Sequence, residues 1–252
     1  MGADLIGWRG CPLQEELGPD GFLGKLKLRS YLTAVAAQVP PDKRAEVKVA
    51  VLVHGPDGPS ERELRYADME SEVAAFLAGI PECATCPLSD GRPVSCYHYV
   101  PYPIDEVFER LVFDFFVSQI GTADSICDQL WRSLVSQVPD HGTGWHQRRG
   151  TDPRTGALAR LPDPLVHRFG GLFRKRTVDS AQILQSLFVT LDRPALVVAY
   201  GLFFAELLAF ASDRGITSET SPTLAAVEGY ARMLLATVEG AVSDGWAVLT
   251  DA

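Results

Sequence analysis

The sequence carries few basic residues for its length. Lys and Arg number 23 against 32 Asp and Glu, so the formal net charge is −9 at pH 7. General nucleic-acid binding needs a basic surface that neutralises phosphates, and this composition argues against it. An acidic chain of 252 residues, 46% of them hydrophobic, is instead typical of a globular protein that recognises discrete partners.

The sequence also lacks a targeting segment and a charge-free membrane span. Its beginning, MGADLIGWRGCPL, has no basic region followed by a long apolar run, as a secretory signal would have. The longest apolar run, residues 194–211, contains Glu206 and is flanked by charges, which favours a buried core helix over a bilayer span. We therefore predict a cytoplasmic protein without a membrane partner, in which cysteines are not paired.

Catalytic signatures are missing as well. The sequence contains no G-x-S-x-G elbow, no H-E-x-x-H motif, no Walker A loop and no dinucleotide-binding glycine fingerprint. We therefore assign no catalytic and no cofactor-binding residue. The alternative that stays open is a metal-dependent or pocket-based enzyme that uses His98, Arg148 or Glu206, the last as a buried carboxyl group in an apolar helix.

The first part of the chain predicts a small mixed αβ layer made of a hairpin plus helices. Apolar residues recur at helical spacing over 28–39, after a Gly-Pro-Asp-Gly turn at 18–21. Alternating valines over 47–53 predict a strand, which is followed by a hairpin with a long loop. Asp68 is expected to cap a helix over 69–78.

The second part of the chain predicts a bundle of about five helices. The predicted fold class is therefore α+β. We expect the chain to divide into a mixed region, 1–104, and a helical region, 105–252, with one continuous domain as the alternative. A strand or docked tail is expected near the end, and another short strand at residues 3–8. The first helix of the bundle is expected to start at Asp105 or Pro103 and to end at residue 120. The others are expected at 122–138, 178–191, 194–212 and 222–243, the last capped by Ser221 with Pro222 in its first position.

Cysteines concentrate in one short stretch, residues 81–105, which we name the Cys-rich knuckle. Cys83 and Cys86 form a C-x-x-C pair, and Cys96 and His98 follow. A C-x-x-C turn directs two thiolates toward one ion, and a closed set of four ligands is typical of structural zinc. We predict zinc bound by Cys83, Cys86, Cys96 and His98, with Cys11 as the alternative fourth ligand.

Other interpretations of the cysteines stay open. A set of four cysteines that includes Cys11 would suit an iron–sulfur cluster, although the intervals match neither common ferredoxin pattern. A redox-active C-x-x-C or ordinary thiols are further alternatives, but a thioredoxin-like motif should open a helix after a strand. The neighbouring tyrosines 97, 99 and 102 suit either the wall of a ligand pocket or a strand with its rings in the core.

Basic residues concentrate in residues 139–176, which we name the Arg-rich segment. It holds eight Lys or Arg against three Asp, a net charge of +5, so the remainder of the chain carries −14. The segment is rich in proline and glycine and is expected to be mainly loop. The predicted contact residues are Arg148, Arg149, Arg174, Lys175 and Arg176, which suit carboxylate or phosphate groups.

Three uses of this positive charge compete. The segment neutralises acidic faces of its own fold, binds an acidic protein or a second copy of the chain, or holds a nucleotide, phosphate or RNA. Our interpretation is a non-catalytic, zinc-containing binding or regulatory protein that contacts an acidic partner through the Arg-rich segment. A structural or assembly protein is a further alternative.

Overall fold

Helices and short antiparallel strands build the chain. The computed structural model describes residues 2–55, 58–79, 83, 85–89, 91–135, 158–169, 176–188 and 197–251. Every strand pair described within them is antiparallel, and the sheets contain two or three strands. The predicted α+β class is confirmed at this level, whereas its metal knuckle stays a prediction.

The described elements are named in chain order. They are β1 (Gly2–Trp8), α1 (Pro12–Gln38), a 3-10 helix (Pro41–Glu46), β2 (Lys48–Gly55), β3 (Gly58–Arg65), α2 (Tyr66–Ala78), β4 (Tyr97–Pro101), α3 (Glu106–Gln119), α4 (Ile126–Val135), β5 (Val166–Phe169), β6 (Arg176–Asp179), α5 (Ser180–Phe188), α6 (Val197–Ser212), α7 (Pro222–Asp244) and β7 (Ala247–Asp251).

The chain divides into two compact units. One unit joins Met1–Arg9 to Cys96–Ala252, and the other is Gly10–Ser95. Strand β1 therefore belongs to the same unit as the C-terminal helices. The boundary between 1–104 and 105–252 that the sequence suggests stays a prediction.

In the Gly10–Ser95 unit, α1 begins earlier than its sequence predicts. The helix starts at Pro12 rather than near residue 28, and it is interrupted at Gly18, whose φ is 67°. Pro12 and Pro19 each stand directly after a non-helical residue, where the fixed φ of proline suits the first turn of a helix. The expected turn at 18–21 is therefore a break between two helical stretches.

The hairpin and α2 correct two further details. Strands β2 and β3 pair up to Gly55 and Gly58, so the predicted long loop is wrong. Helix α2 begins at Tyr66, and Asp68 lies in its first turn instead of capping it. Tyr66 is buried with Met69 and Val73, and its N–H donates to Val47 O at 3.0 Å. Because these tertiary contacts stabilise a helical conformation at Tyr66, the helix begins before Asp68, the residue that the local sequence pattern favours.

The other unit contains a three-stranded sheet in the order β4–β1–β7. Leu5 at the centre of β1 pairs with His98 of β4 and Thr250 of β7. Leu5 and Val100 are fully buried in a core that also contains residues from each helix between α3 and α7. The predicted strands at 3–8 and near the C-terminus are confirmed.

Asp105 connects the beginnings of two helices in this unit. Its Oδ1 accepts from Phe108 N at 2.9 Å at the start of α3, as the sequence predicts for a helix beginning at 105. Its Oδ2 accepts from Ser221 Oγ at 2.8 Å and Thr223 N at 2.9 Å at the start of α7. The capping of α7 by Ser221, with Pro222 first in the helix, is confirmed.

Helix α6 is buried on one face only. Its buried residues recur at helical spacing and are Tyr200, Phe203, Phe204, Leu207 and Ala211. Leu202 is 48% exposed and Glu206 is exposed as well, so the expectation of a buried Glu206 is wrong. Among the helices described, none combines the length and apolar character that crossing a bilayer requires.

Candidate functional site

The described part of the Arg-rich segment contains regular structure. Strand β5 pairs with β6 in a two-stranded ribbon, in which Val166 lies opposite Asp179 and Arg168 opposite Thr177. Residues 139–176 are expected to be mainly loop, and within their described part β5 and the first residue of β6 are regular strand. Pairing with β6 therefore fixes the extended backbone conformation at Arg168.

A buried glutamate anchors the backbone next to Arg160. Glu109 of α3 is 0% exposed. Its Oε2 accepts from Arg160 N at 3.1 Å and from Leu161 N at 3.0 Å. Its Oε1 accepts from Ser180 Oγ at 2.6 Å. One carboxyl group thus connects α3, the Arg-rich segment and the first residue of α5.

The contacts of Ser180 extend this anchor to β5. Ser180 N donates to Leu165 O at 2.9 Å, and Leu165 N donates to Ser180 Oγ at 3.3 Å. Immediately before it, Asp179 Oδ1 accepts from Gln182 N at 2.8 Å, while Asp179 N donates to Gln182 Oε1 at 2.9 Å. This reciprocal capping box fixes the start of α5 and therefore the end of the ribbon.

Sequence reasoning missed Glu109, although the sequence contains a signal for it. Glu109 follows the buried Phe108 and stands three residues before the buried Val112, which places it on the apolar stripe of α3. A charged residue inside such a stripe is rarely fully buried without partners. That position therefore identifies a candidate for a buried polar network.

The side chains of two arginines of the segment take no part in the anchor. Arg160 and Arg168 are both exposed. No carboxylate of the described residues is within ion-pair distance of either guanidinium, whereas Arg132 pairs with Asp128 at 2.6 Å. The expectation that the segment neutralises acidic faces of its own fold therefore finds no support at these two positions.

The ribbon is held from its inner side. Phe169 packs edge-on against Trp131 of α4, with ring centroids 6.0 Å apart, and stacks on His167 at 6.1 Å. Trp131 in turn contacts Phe116 of α3. The opposite side chains of β5 point away from this aromatic cluster, and Val166 is 54% exposed.

Most of the predicted contact residues lie outside the described residues. This applies to Arg148, Arg149, Arg174 and Lys175. Arg176 is the first residue of β6, and its side chain also lies outside the description. Their role in partner binding stays a prediction, and the described geometry concerns Arg160 and Arg168 instead.

The C-x-x-C pair lies in a turn of the Gly10–Ser95 unit. Cys86 N donates to Cys83 O at 3.3 Å, and Ser89 N donates to Cys86 O at 2.8 Å. Cys11 belongs to the same unit and immediately precedes α1. The structure describes all five cysteines and places no disulfide among them.

Cys96 and His98 belong to the other unit, in which Cys96 lies in the turn before β4 and His98 lies within that strand. Cys96 O accepts from Gly7 N at 2.7 Å, and His98 is buried within β4. Among the described residues, no group of three or more His, Cys, Asp or Glu is placed to hold a metal. Zinc and the iron–sulfur alternative stay predictions.

The fifth cysteine is a core residue. Cys127 of α4 is fully buried. Burial, and next the charge of Glu206, raise the pKa of its thiol. Because the thiolate is the reactive form, this environment keeps Cys127 unreactive.

The tyrosines around β4 contact the sheet and the core. Tyr97 OH donates to Asp4 Oδ1 at 2.6 Å, and Tyr102 OH donates to Phe188 O at 3.4 Å. Burial, with smaller effects of Tyr99 and Asp4, raises the pKa of Tyr102. For Tyr97 and Tyr102 these contacts favour the interpretation as a packed strand. Of the residues named for an enzyme, His98 is buried, Glu206 is exposed and Arg148 lies outside the description.

Comparison with known proteins gives no family assignment. No family model matches the chain, and neither the curated proteins nor the solved structures contain a significant match.

Proposed function

We propose that the chain is a non-catalytic binding protein that contacts an acidic partner through the Arg-rich segment. The observation that carries the proposal is the pair Arg160 and Arg168, which are exposed and have no carboxylate partner among the described residues. The anchor at Glu109 and the β5–β6 ribbon hold the backbone at these positions. A backbone that is already ordered loses less conformational entropy on binding, which favours recognition.

The charge distribution supports a protein partner over nucleic acid. The segment has a net charge of +5, but the rest of the chain carries −14. A long polyanion would be repelled by the acidic remainder, whereas a short acidic segment of a protein needs only the local positive charge.

The test measures binding of a fluorescein-labelled oligoglutamate peptide, with a single-stranded RNA as the second probe. The double variant Arg160→Glu/Arg168→Glu is expected to bind the peptide about tenfold or more weakly, because two exposed ion pairs are replaced by repulsion. Arg62→Glu is the matched control, since Arg62 is also exposed and lies on β3 of the other unit.

Each result has a defined meaning. Equal peptide binding by the double variant and the Arg62→Glu control would contradict the proposal. If the protein binds the RNA more tightly than the peptide and the double variant loses that binding, the partner is nucleic acid rather than an acidic protein. Retained binding by the control and weakened binding by the double variant would support the proposal.

We propose separately that the protein binds structural zinc. The support is the sequence spacing of the predicted ligands Cys83, Cys86, Cys96 and His98. The turn that contains Cys83 and Cys86 is consistent with this proposal. Elemental analysis of the purified protein is expected to find zinc, and Cys83→Ser is expected to lose it and to unfold at lower temperature. Cys127→Ser, outside the ligand set, is expected to keep the metal. Unchanged metal content and melting of Cys83→Ser would contradict this part, and a brown chromophore would indicate iron–sulfur.

A further inference from the structure

Strand β5 has one edge without a described strand partner. Its four residues pair with β6 on one side, and no strand in the described part of the chain pairs with the other side. The backbone N–H and C=O groups along such an edge favour the addition of another extended chain. The inner aromatic contacts of Phe169 and the anchor at Ser180 hold this edge in place.

The exposed side chains of β5 indicate which kind of strand could pair with its open edge. Val166 and Arg168 lie two residues apart and therefore on the same face, and both are exposed. A strand added next to β5 would place an apolar side chain opposite Val166 and a carboxylate opposite Arg168. Arg160 adds a second positive charge in the same segment.

We propose that an extended acidic peptide adds as a third strand to the open edge of β5, with a carboxylate on Arg168. This inference rests on the proposed function and adds to it the form of the partner, a strand in which acidic and apolar residues alternate on one face. Main-chain hydrogen bonds would supply affinity, and the alternating side chains would supply specificity. A second copy of the chain would bring its own β5 edge, which carries the same positive charge. Charge complementarity therefore favours an acidic peptide as the occupant.

The experiment uses a peptide that repeats Val-Ser-Glu-Ser, so that valine and glutamate alternate on one face of the strand, together with two N-methylated derivatives that are isomers of each other. One isomer is methylated at its odd residues and the other at its even residues, so the three peptides have the same side chains and charge. In a paired strand only alternate N–H groups point toward the neighbour. Binding of all three peptides to the full-length protein is measured by fluorescence anisotropy.

Strand addition is expected to separate the two isomers. The isomer methylated at the donating positions should bind about tenfold or more weakly, because it loses its main-chain hydrogen bonds, while the other isomer should bind like the parent peptide. Arg168→Glu should weaken binding of the parent peptide at least about fivefold, and Arg62→Glu should not.

Three other outcomes would overturn the inference in distinguishable ways. Equal binding of all three peptides would exclude strand addition and leave the proposed acidic partner in place. No binding of any acidic peptide, oligoglutamate included, would contradict the proposed function as well. Self-association that light scattering detects without peptide, and that Arg168→Glu abolishes, would identify a second copy of the chain as the occupant of the edge.

Discussion

Glu109 places a carboxyl group in the core without any exposed surface. Burial of a polar group costs free energy unless its hydrogen-bonding capacity is used. Two backbone N–H groups and one hydroxyl supply the hydrogen bonds here, and they come from Arg160, Leu161 and Ser180. The residue therefore acts as a positioning group for the Arg-rich segment.

Replacement of Glu109 by glutamine tests this role. The amide nitrogen of Gln cannot accept, so at least one of the donors loses its partner inside the core. We expect the free energy of unfolding to fall by about 1–3 kcal/mol. The matched control is Glu106→Gln, an exposed residue of the same helix, which should change stability by less than about 0.5 kcal/mol. Urea denaturation compares the two variants, and equal losses would contradict the anchor.

Asp105 makes stability depend on pH at the acidic end. Burial alone would raise its pKa, but hydrogen bonds from Phe108 N, Thr223 and Ser221 outweigh burial and lower the pKa below its ordinary value. A lowered pKa in the folded state means that folding favours the ionised form. Its contribution is therefore complete above the unfolded-state pKa of about 3.9 and is lost as the pH falls through the folded-state value.

Asp105→Asn is expected to remove this dependence. Asparagine still caps a helix, but its amide cannot replace the charged acceptor of Ser221 and Thr223. The variant should be less stable than the wild type at neutral pH, and the difference should shrink below about pH 4. Denaturant midpoints measured across this range provide the check. A difference that stays constant as the pH falls would show that ionised Asp105 contributes nothing specific.

At the scale of elements, a helix begins where local and tertiary contacts agree. Asp105 and Ser221 were predictable as caps because the polar residue and the apolar stripe behind it coincide. Asp68 offered the same local signal, but burial of Tyr66 moves the start of α2 ahead of it. Asp68 instead accepts from Arg65 Nε at 2.8 Å. Packing that involves distant residues overrides such a pattern.

Helix α7 packs closely against Trp246, the residue that precedes β7. A Cβ at Gly240 would overlap the indole ring of Trp246, which also lies under Arg9 at 5.7 Å. Gly240→Ala should therefore cost about 1–3 kcal/mol of unfolding free energy. In a Trp246→Ala background the same change should be neutral or stabilising, since alanine favours a helix over glycine by about 1 kcal/mol. Equal costs in both backgrounds would contradict the overlap.

At the scale of the whole molecule, long-range strand pairing is what the sequence could not predict. Strand β1 pairs with residues 97–101 and 247–251, and no local pattern contains that information. The individual strands and most helices were predictable, since each depends on its own periodicity. Of the candidate site, composition identified the positive segment, but the anchoring of Arg160 by Glu109 depends on residues about fifty positions apart.

Each compact unit contains a cluster of buried hydrophobic residues, and we expect a substitution in one cluster to loosen mainly the unit that holds it. Leu5→Ala removes a fully buried side chain from the central strand β1 and should cost about 2–5 kcal/mol. Hydrogen exchange should then accelerate in β4, β7 and α7.

Leu28→Ala in the core of the Gly10–Ser95 unit is the reciprocal variant. It should accelerate exchange in α2 and the β2–β3 hairpin and leave β4 and β7 protected. If residues 1–9 belonged with the hairpin, as a boundary at residue 104 implies, Leu5→Ala would instead loosen β2 and β3. Exchange measured by mass spectrometry on both variants decides between these assignments, because each predicts a different set of peptides that lose protection.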